Sequence, residues 1–570
     1  MKKRKIIVFG LVLVMLMCFC ACDVNVAVTP HGTTSSTPDV TPTTEPTATP
    51  EPLQEITKAV NEIELYVGDK YPLDGLFKAS FGGMDISADC DAFKIENGAI
   101  EAILPGNGNI VAVGEQNPNA MAVITVKVFA LPQKAVTFSA GRFLAIKAGE
   151  SQRLTYSVHP RYEGRVELSA TGDITLSEQG TVKGVAKGFG VVTATVDGEY
   201  AGECVVVVND KENLLPLDAI AEPEFSIEDG ILKREYNDGE GAVIMLTGDI
   251  MCLSAQQNAA KKAGEYDFSP SFKYVKEYFD TADLVIGNLE STLSVTHPYA
   301  NEKKNVDGMP NCNGQSTILD ALRYAGYDVV VTANNHSLDA NELGLYQTLE
   351  RLEYYKLASV GTYTGREDRF IIADINGIRV AFLAYTEIMN KRESVSVEKY
   401  AQIIGEYSKG NVERDCAAAR EAGAEYIIAY MHWGKENTHE VTSRQQRQAK
   451  EMANAGVDLI AGSHPHCLQN ATTVIADDGR EVFCIYSLGN FVSSMSKDIN
   501  NDTIILRVEL VRDGDKIKLK DSGYIACKVM GYDNKRFVIL PCDMISSSYL
   551  KDASSRIDAI FQDNLKRINN

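Results

Sequence analysis

The chain of 570 residues is poor in several residue types that mark particular classes of protein. It has one tryptophan and only eight histidines, so a place where histidines recur is informative. Basic residues are also scarce relative to acidic ones, 56 against 77, and the formal net charge is −21. Binding a polyanion by counterion release needs a basic face, so this balance argues against a nucleic-acid partner.

Paired cysteines and long apolar runs are lacking as well. After Cys22, nine cysteines are scattered singly, and no C-x-x-C pair occurs. This pattern excludes a zinc knuckle and a dense disulfide scaffold. Beyond the first two dozen residues no apolar run is long enough to span a bilayer. The length exceeds what one hydrophobic core supports, so we expect several domains.

The N-terminus has the composition of an export signal. Residues 2–5 are all basic, and a twelve-residue apolar stretch follows from Ile6 to Met17. Small Ala21 before Cys22 resembles a bacterial lipobox. We therefore predict that residues 1–22 are a lipoprotein signal peptide with Cys22 as the lipidated residue. This prediction places the protein outside the cytoplasm, lipid-anchored to the outer face of the bacterial cytoplasmic membrane. An uncleaved anchor and plain secretion are the alternatives.

Three segments without chemical motifs precede the last part of the chain. Residues 23–54 are rich in Thr and Pro, a composition that does not bury enough apolar surface to fold, and are predicted to be a disordered linker. Residues 55–130 and 133–209 consist of short alternating segments separated by Gly, Asn and Asp, which predicts two small β-sandwich domains. The second segment resembles the bacterial immunoglobulin-like group 2 domains through 180–196 and 204–208, and the first is a weaker match. Such domains act as spacers or as adhesive modules.

After an acidic linker, buried strand runs alternate with amphipathic helices over residues 238–500, which predicts an α/β layered domain. Strands are predicted at 243–246, 284–286, 329–331, 380–385, 426–431, 458–461 and 482–486. Helices are predicted at 316–325, 412–422 and 443–455. Alternation interrupted by Asp513-Gly514 predicts a β-hairpin, so residues 501–570 are expected to form a β-hairpin extension of this domain.

Polar side chains follow the predicted strands at the points where the strands end, which is where ligands collect in α/β folds. Four of the eight histidines fall in these loops, accompanied by acidic and amide side chains: Asp249, Glu290, Asn335, His336, His432, His464 and His466. Each of them taken alone is explained by a helix cap, a loop or core packing. Together they form the mixed nitrogen and oxygen ligand set that suits Zn, Mn or Fe.

The order and spacing of these motifs resemble the CapA family of poly-gamma-glutamate capsule synthesis across about residues 240 to 500. The motifs are Gly248-Asp249-Ile-Met251, Asn288-Leu-Glu290, Asn334-Asn-His-Ser-Leu-Asp339, His432-Trp-Gly434, His464-Pro-His466 and Ser487-Leu-Gly-Asn-Phe491. The resemblance implies the fold of the calcineurin-like metallophosphatases, a four-layer α/β/β/α sandwich. It also implies two adjacent divalent metal ions, with Mn, Zn or Fe as the candidates.

The same resemblance assigns roles by motif. Asp249 and His466 would bind the first metal, Glu290 would bridge both, and Asn335, His432 and His464 would bind the second. His336 would be the proton donor. Apart from the resemblance, Asn334, Lys435 and Glu436 are candidates for substrate contacts, and the alternative for Lys435 and Glu436 is that they simply face water. The pattern departs from the phosphatases because Met251 stands where they have a histidine and Glu290 where they have an aspartate.

Two hypotheses for function follow. The first is a metal-dependent hydrolase or transferase that acts at the cell surface on a gamma-glutamyl amide of capsule polymer or on a phosphoester. The second is a non-catalytic, metal-dependent surface protein that binds or anchors an anionic polymer. In both, the partners are an anionic envelope polymer such as poly-gamma-glutamate and the membrane. His336 beside Asn335 favours the first, because a binding site does not need a proton donor.

Overall fold

A computed structural model describes residues 55–568, except for gaps at 105, 130–134, 161, 163, 210–224, 229–230, 235–240 and 366–367. The predicted signal peptide, the lipidation site Cys22 and the linker at 23–54 lie outside the described residues. Within the described part, no helix combines the length and the apolar character needed to cross a membrane.

Residues 55–129 form strands only, and one hydrophobic cluster is their shared core. Described residues of this segment make a two-stranded, a four-stranded and a three-stranded sheet. The strands are β1 (Ile56–Lys58), β2 (Glu62–Tyr66), β3 (Lys70–Pro72), β4 (Phe77–Ala79), β5 (Met84–Ala88), β6 (Phe93–Glu96), β7 (Ala99–Ala102), β8 (Gly106–Gly114) and β9 (Met121–Phe129).

Residues 135–209 repeat this arrangement around a second core. The strands are β10 (Val136–Phe138), β11 (Phe143–Lys147), β12 (Ser151–Arg153), β13 (Tyr156–Val158), β14 (Val166–Gly172), β15 (Ile174–Leu176), β16 (Thr181–Gly184), β17 (Gly188–Val196) and β18 (Glu199–Asn209). The four-stranded sheets have the orders β2-β9-β8-β5 and β11-β18-β17-β14, so the two segments share one topology. Their classification as immunoglobulin-like stays a prediction.

The rest of the chain alternates strands and helices. Its strands are β19 (Phe225–Glu228), β20 (Ile231–Arg234), β21 (Gly241–Ile250), β22 (Lys261–Lys262), β23 (Glu265–Tyr266), β24 (Leu284–Leu289), β25 (Asn305–Val306), β26 (Met309–Pro310), β27 (Val329–Val331), β28 (Ala358–Val360), β29 (Phe370–Ile375), β30 (Ile378–Thr386), β31 (Tyr426–His432), β32 (Leu459–Ser463), β33 (Leu468–Ile475), β34 (Glu481–Leu488), β35 (Asn490–Val492), β36 (Asp502–Asp513), β37 (Lys516–Tyr532), β38 (Lys535–Pro541) and β39 (Lys566–Arg567).

Its helices are α1 (Ser254–Ala260), α2 (Lys276–Phe279), α3 (Ile318–Ala325), α4 (Asn341–Tyr354), α5 (Val397–Ile403), α6 (Lys409–Glu421), α7 (Ser443–Ala455) and α8 (Ser548–Phe561). Short 3-10 helices lie at Ser269–Ser271, Arg392–Ser394 and Asp498–Asn500. The ends of α7 follow from local chemistry. The Thr442 hydroxyl accepts a hydrogen bond from Gln445 N, the Gln445 side chain accepts one from Thr442 N, and Gly456 ends the helix with a φ of 110°.

Two large sheets organise this part of the chain. The first has the order β28-β27-β24-β21-β36-β37-β38, with β35 paired to β21 and β39 to β37. The second has the order β19-β20-β29-β30-β31-β32-β34-β33. Strands β28, β27, β24 and β21 run parallel, as do β30, β31, β32 and β34. The carboxyl ends of each parallel set therefore lie on one edge of its sheet.

Three hydrophobic clusters define the layers. One cluster joins side chains of both sheets, for example Ile244 and Leu506 with Val380 and Ile428. A second packs α3 and α4 on the outer face of the first sheet, and a third packs α6 and α7 on the outer face of the second sheet. The domain is therefore the predicted α/β/β/α four-layer sandwich.

Residues 501–570 are more deeply built into this domain than the predicted hairpin extension. The hairpin is present as β36 and β37, and Gly514, with a φ of 62°, lies in its turn. Strand β36 pairs directly with β21, so the hairpin continues the first sheet through β38. Helix α8 was not anticipated, and its apolar side chains join the core between the sheets.

The second strand-only segment packs on helix α4, which begins just after the loop at 332–340. The Phe189 ring lies 4.8 Å from the Tyr346 ring, and Gln347 Nε2 donates to Asn209 Oδ1 at 2.6 Å. Three further side chains of this segment belong to the core that contains α4: Phe143, Val205 and Val207. Residues 135–209 are therefore bound to the α/β domain by a packed interface.

Candidate metal centre

Polar side chains from both sheets converge where the parallel strands end. Asp249 is at the end of β21, Glu290 follows β24, and His432 ends β31. The structure brings all six predicted ligands together, and none is more than 4% exposed: Asp249, Glu290, Asn335, His432, His464 and His466. Their roles as ligands stay predictions.

Gly248 explains how Asp249 reaches this position. A Cβ atom at Gly248 would lie 1.8 Å from the carbonyl oxygen of Gly489, so only glycine allows the two segments to approach. The approach lets Asp249 N donate to Gly489 O at 2.9 Å. The register of β21 against β24 shifts between Thr247 and Asp249. This irregularity turns the Asp249 carboxylate toward the other strand ends.

The loop His464-Pro465-His466 has an unusual backbone. His464 has a φ of 95° and His466 a φ of 57°, which non-glycine residues rarely adopt. The ring centroids of the two histidines are 5.9 Å apart. Strain of this kind persists where the surroundings hold the side chains in place, and it is common at functional sites.

The donor atoms form two groups that share Glu290. In the first, His466 Nδ1 lies 3.4 Å from Asp249 Oδ2 and 3.8 Å from Glu290 Oε2. In the second, His432 Nε2 lies 3.6 Å from Glu290 Oε1 and 3.1 Å from His464 Nδ1. Within each group one donor atom per residue lies within 4.8 Å of the others. These groups correspond to the two predicted ligand sets, with Glu290 in the bridging position.

Asn335 lies beside the second group. Its Oδ1 is 2.9 Å from His432 Nε2, the same nitrogen that faces Glu290 and His464. An amide oxygen, a carboxylate and two imidazoles therefore point at one place.

The surroundings of the Glu290 carboxylate show whether these residues suit metal ions. Its side chain is fully buried, and neither carboxylate oxygen has a hydrogen-bond partner among the described residues. Burial raises the pKa of Glu290 well above its usual 4.5, and the neighbouring charge of Asp249 raises it further. An uncompensated buried carboxylate is costly, whereas divalent cations satisfy both oxygens. The residues present fit two cations.

The protonation of the histidines agrees with this fit. Burial lowers the pKa of His464 to about 4 and that of His432 well below 6.5, so both rings are neutral and have lone pairs to donate. Burial also acts to lower the pKa of His466, but Glu290 and Asp249 outweigh it and raise the value to about 10. In the metal-free protein a proton on His466 therefore balances part of the carboxylate charge.

His336 lies beside this centre and has a defined orientation. Its Nδ1 is 2.7 Å from Asp339 Oδ2, and its Nε2 is 3.6 Å from Cys312 Sγ. A carboxylate that accepts from Nδ1–H fixes the tautomer and leaves Nε2 as the nitrogen that can exchange a proton. The backbone carbonyl of Asp339 accepts from Lys391 Nζ at 2.8 Å. Neither Asp339 nor Cys312 was predicted to have a role, although the His-x-x-Asp spacing is present in the sequence.

Three other supporting residues were also missed. Asn288 Nδ2 donates to Asp249 Oδ1 at 2.8 Å. Ser463 Oγ lies 2.9 Å from His432 Nδ1, and Asn490 Oδ1 lies 2.9 Å from His466 Nδ1. Ser463 contacts the His432 nitrogen opposite the one that faces Glu290, as partners that orient metal-binding side chains do. Asn490 contacts the same His466 nitrogen that faces Asp249. Asn288 and Asn490 stand inside the motifs, and Ser463 directly precedes one.

The three residues expected to contact substrate have different surroundings. Asn334 is 1% exposed, and its Nδ2 donates to Asn288 Oδ1 and Leu289 O at 3.2 and 2.9 Å. It therefore ties two site loops together. Lys435 and Glu436 are exposed in the loop after His432, and the charge of Glu436 acts on Glu290 and His466. Substrate contacts from all three stay predictions.

Comparison with known proteins identifies relatives of the α/β domain. Residues 243–495 match the family described as "Bacterial capsule synthesis protein PGA_cap". The capsule biosynthesis protein CapA of Bacillus anthracis is 27% identical over 296 residues, covering 50% of this chain and 67% of the relative. The PGA biosynthesis protein CapA of Bacillus subtilis (strain 168) is 25% identical over 270 residues, covering 47% and 67%.

Among solved structures, the calcineurin-like phosphoesterase YfkN of Bacillus subtilis is similar with a TM-score of 0.33 and 13% identity. The match covers 56% of this chain and 97% of that one. Strand β36 and the segments after it lie beyond the residues matched by the capsule family. Residues 243–495, which carry every candidate ligand, are similar to the bacterial capsule synthesis protein family.

Proposed function

We propose that this protein acts at the cell surface in capsule or poly-gamma-glutamate biosynthesis as a binuclear-metal hydrolase or transferase. Its substrate would contain gamma-glutamyl amide or phosphoester bonds. The observation that carries the proposal is the juxtaposition of two ligand groups sharing Glu290 with the His336–Asp339 pair. The similarity of residues 243–495 to the capsule synthesis family supports the link to capsule biosynthesis.

The ligand groups bind and hold the reacting centre. Asp249, Glu290 and His466 would hold one divalent cation, and Glu290, Asn335, His432 and His464 the other. Bound there, the cations would supply positive charge that attracts an oxyanion and activates water. The protein carries a net charge of −21, so an anionic polymer needs a locally positive place to bind, and a cation-filled centre provides one.

His336 would deliver a proton to the leaving group. Asp339 accepts from Nδ1–H, so the proton for transfer is carried on Nε2. Lys391 fixes the Asp339 backbone by its hydrogen bond to the carbonyl oxygen. Burial of His336 and Asp339, whose side chains are 8% and 6% exposed, limits water around the reacting atoms.

The location at the membrane is part of the proposal. The basic and apolar residues before Cys22 support lipidation and export. Growth with a labelled fatty acid should label the wild-type protein and not Cys22→Ala. Equal labelling of both would exclude Cys22 as the anchor.

Metal content and activity test the proposal together. The protein used is residues 55–570. It keeps residues 135–209, because they are packed on α4 of the α/β domain. We expect close to two transition-metal equivalents, fewer in His464→Ala, and chelator-sensitive cleavage of a gamma-glutamyl or phosphoester substrate. Two bound metals with polymer binding and no turnover would instead support the non-catalytic binding protein. No bound metal after reconstitution with Mn or Zn would overturn both.

A further inference from the structure

A second set of donor atoms lies next to the two-cation centre. Cys312 Sγ is 3.6 Å from His336 Nε2, and Asp339 Oδ2 is 2.7 Å from His336 Nδ1. We call these three residues the thiol cluster. They are 1%, 6% and 4% exposed, and one donor atom from each lies within 4.8 Å of the others. None of the three belongs to the ligand groups that share Glu290.

The spacing of the thiol cluster suits a bound cation. Zinc binds sulfur at about 2.3 Å and imidazole nitrogen at about 2.0 Å, so a tetrahedral centre separates the two donors by about 3.5 Å. Cys312 Sγ and His336 Nε2 are 3.6 Å apart. Asp339 accepts from Nδ1–H on the opposite side of the ring, so Nε2 is the nitrogen on which a metal ion would compete with a proton. Such a carboxylate is the usual support of a metal-binding histidine.

The charge around the thiol cluster also favours a cation. Burial is the largest cause that raises the pKa of the Cys312 thiol well above its usual 9.0, and the carboxylates of Asp339 and Glu436 raise it further, so a cation that binds the sulfur displaces its proton. A thiolate and an imidazole together prefer soft or borderline cations such as Zn²⁺ over Mg²⁺ or Ca²⁺. On binding, the thiol would give its proton to solvent as the sulfur–metal bond forms.

We propose that Cys312 and His336, supported by Asp339, form a separate inhibitory site for a divalent cation of the zinc type. The inhibitory part rests on the proposed function, because a cation on Nε2 removes the nitrogen that donates the proton. Fewer protein atoms would bind this cation than either cation of the main centre. The thiol cluster therefore fills last as the metal concentration rises.

Cobalt titration tests the site without any substrate. Co²⁺ bound to a cysteine sulfur gives a near-ultraviolet charge-transfer band, and imidazole or carboxylate ligation does not. We expect this band in the wild-type protein only after the main centre is filled, and we expect it to be missing in Cys312→Ser. Cys252→Ser is the matched control, because Cys252 is also fully buried but belongs to none of the three donor groups. It should retain the band.

Zinc inhibition tests the consequence. Excess Zn²⁺ should inhibit the wild-type protein reversibly, and the half-inhibiting concentration should be at least about tenfold higher for Cys312→Ser, since loss of one metal partner costs that much affinity. Should Cys312→Ser fail to fold, Cys312→Ala replaces it, with circular dichroism as the check. Lack of the cobalt band in the wild type, or its persistence in both Cys312 variants, overturns the site. Absence of turnover overturns the proposed function. The cobalt titration needs no substrate, so it still tests the metal site by itself.

Discussion

Glu290 Oε1 lies 3.6 Å from His432 Nε2, yet neither oxygen of this fully buried carboxylate has a hydrogen-bond partner in the described part of the chain. Ordinary buried carboxylates are paired or hydrogen-bonded, because desolvation of an unpaired charge is expensive. The surrounding imidazoles of His432 and His464 are neutral and offer lone pairs. Although burial opposes it, Glu290 and Asp249 raise the pKa of His466 to about 10, so in the metal-free protein this imidazolium balances part of the charge that bound cations would neutralise.

Glu290→Gln should weaken the binding of both metal ions, because Glu290 belongs to both ligand groups. We expect an affinity loss of at least about 100-fold, since loss of a mere orienting neighbour already costs about 10- to 100-fold. Metal analysis after dialysis measures it. Glu436→Gln is the matched control and should retain both equivalents. Normal metal content in Glu290→Gln would remove Glu290 from the centre.

His336→Ala should lower kcat by about 10²- to 10⁴-fold on a substrate with a poor leaving group, the range for loss of a general acid. The kcat on a substrate whose leaving group needs no proton should decrease much less. Asp339→Asn should give a smaller decrease of the same pattern, because it only disturbs the ring orientation. Steady-state rates on the matched pair of substrates measure both effects. An equal loss on the two substrates would argue against proton donation.

Gly248→Ala should displace Asp249, a predicted ligand of the first metal. The added Cβ would meet Gly489 O at 1.8 Å, so β21 or the 489–490 segment must move. We expect reduced metal content and lower stability in urea unfolding. Gly410→Ala in α6 is the control, since nothing lies within 4 Å of its added Cβ. That change should preserve metal content and favour the helix slightly.

Phe189→Ala should lower the stability of the 55–570 protein by about 1–3 kcal/mol, because the half-buried ring packs on Tyr346 of α4. Chemical unfolding measures the change. Val185→Ala in the same segment is the control, since Val185 is 60% exposed. Unchanged stability of Phe189→Ala would mean that residues 135–209 act as a tethered spacer.

Asp415→Asn should show a pH-dependent effect on stability. Burial raises the pKa of Asp415 above its usual 3.8, despite the opposing charge of Arg414. The folded state therefore binds the proton more tightly, and the wild type loses stability as pH rises from about 4 through the raised pKa. The variant lacks this loss. Its free energy of unfolding, relative to that of the wild type, should therefore be higher at pH 7 than at pH 4. Urea unfolding at both values checks this, and a constant difference would contradict it.

Much of the fold was predictable because local patterns decide it. The buried runs at 329–331 and 426–431 became β27 and β31, and the predicted helix at 443–455 is α7. Thr442 and Gly456 explain the agreement, because capping residues define helix ends within a few residues of sequence. Helix α8 was missed although Leu550, Ala553, Ile557 and Phe561 recur at helical spacing. Only the folded chain shows that this face joins the core between the sheets.

Some residues of the candidate site could likewise be identified from the sequence, and others could not. Asp249, Glu290 and the histidines were identifiable because carboxylate and imidazole at strand ends have few structural reasons to recur together. Cys312 carried no such signal. It comes from the segment after β26, and only the folded chain places its sulfur next to His336.

The sequence by itself determined the alternation of strands with helices, the resemblance to a family and the residue types of the centre, because periodicity, caps and motifs are local properties. Tertiary structure alone decided that neither oxygen of Glu290 has a hydrogen-bond partner among the described residues. It also decided that Cys312 meets His336 and that residues 135–209 pack on α4. These relationships join residues from distant parts of the chain, and their distances follow from how the two sheets and their helices pack.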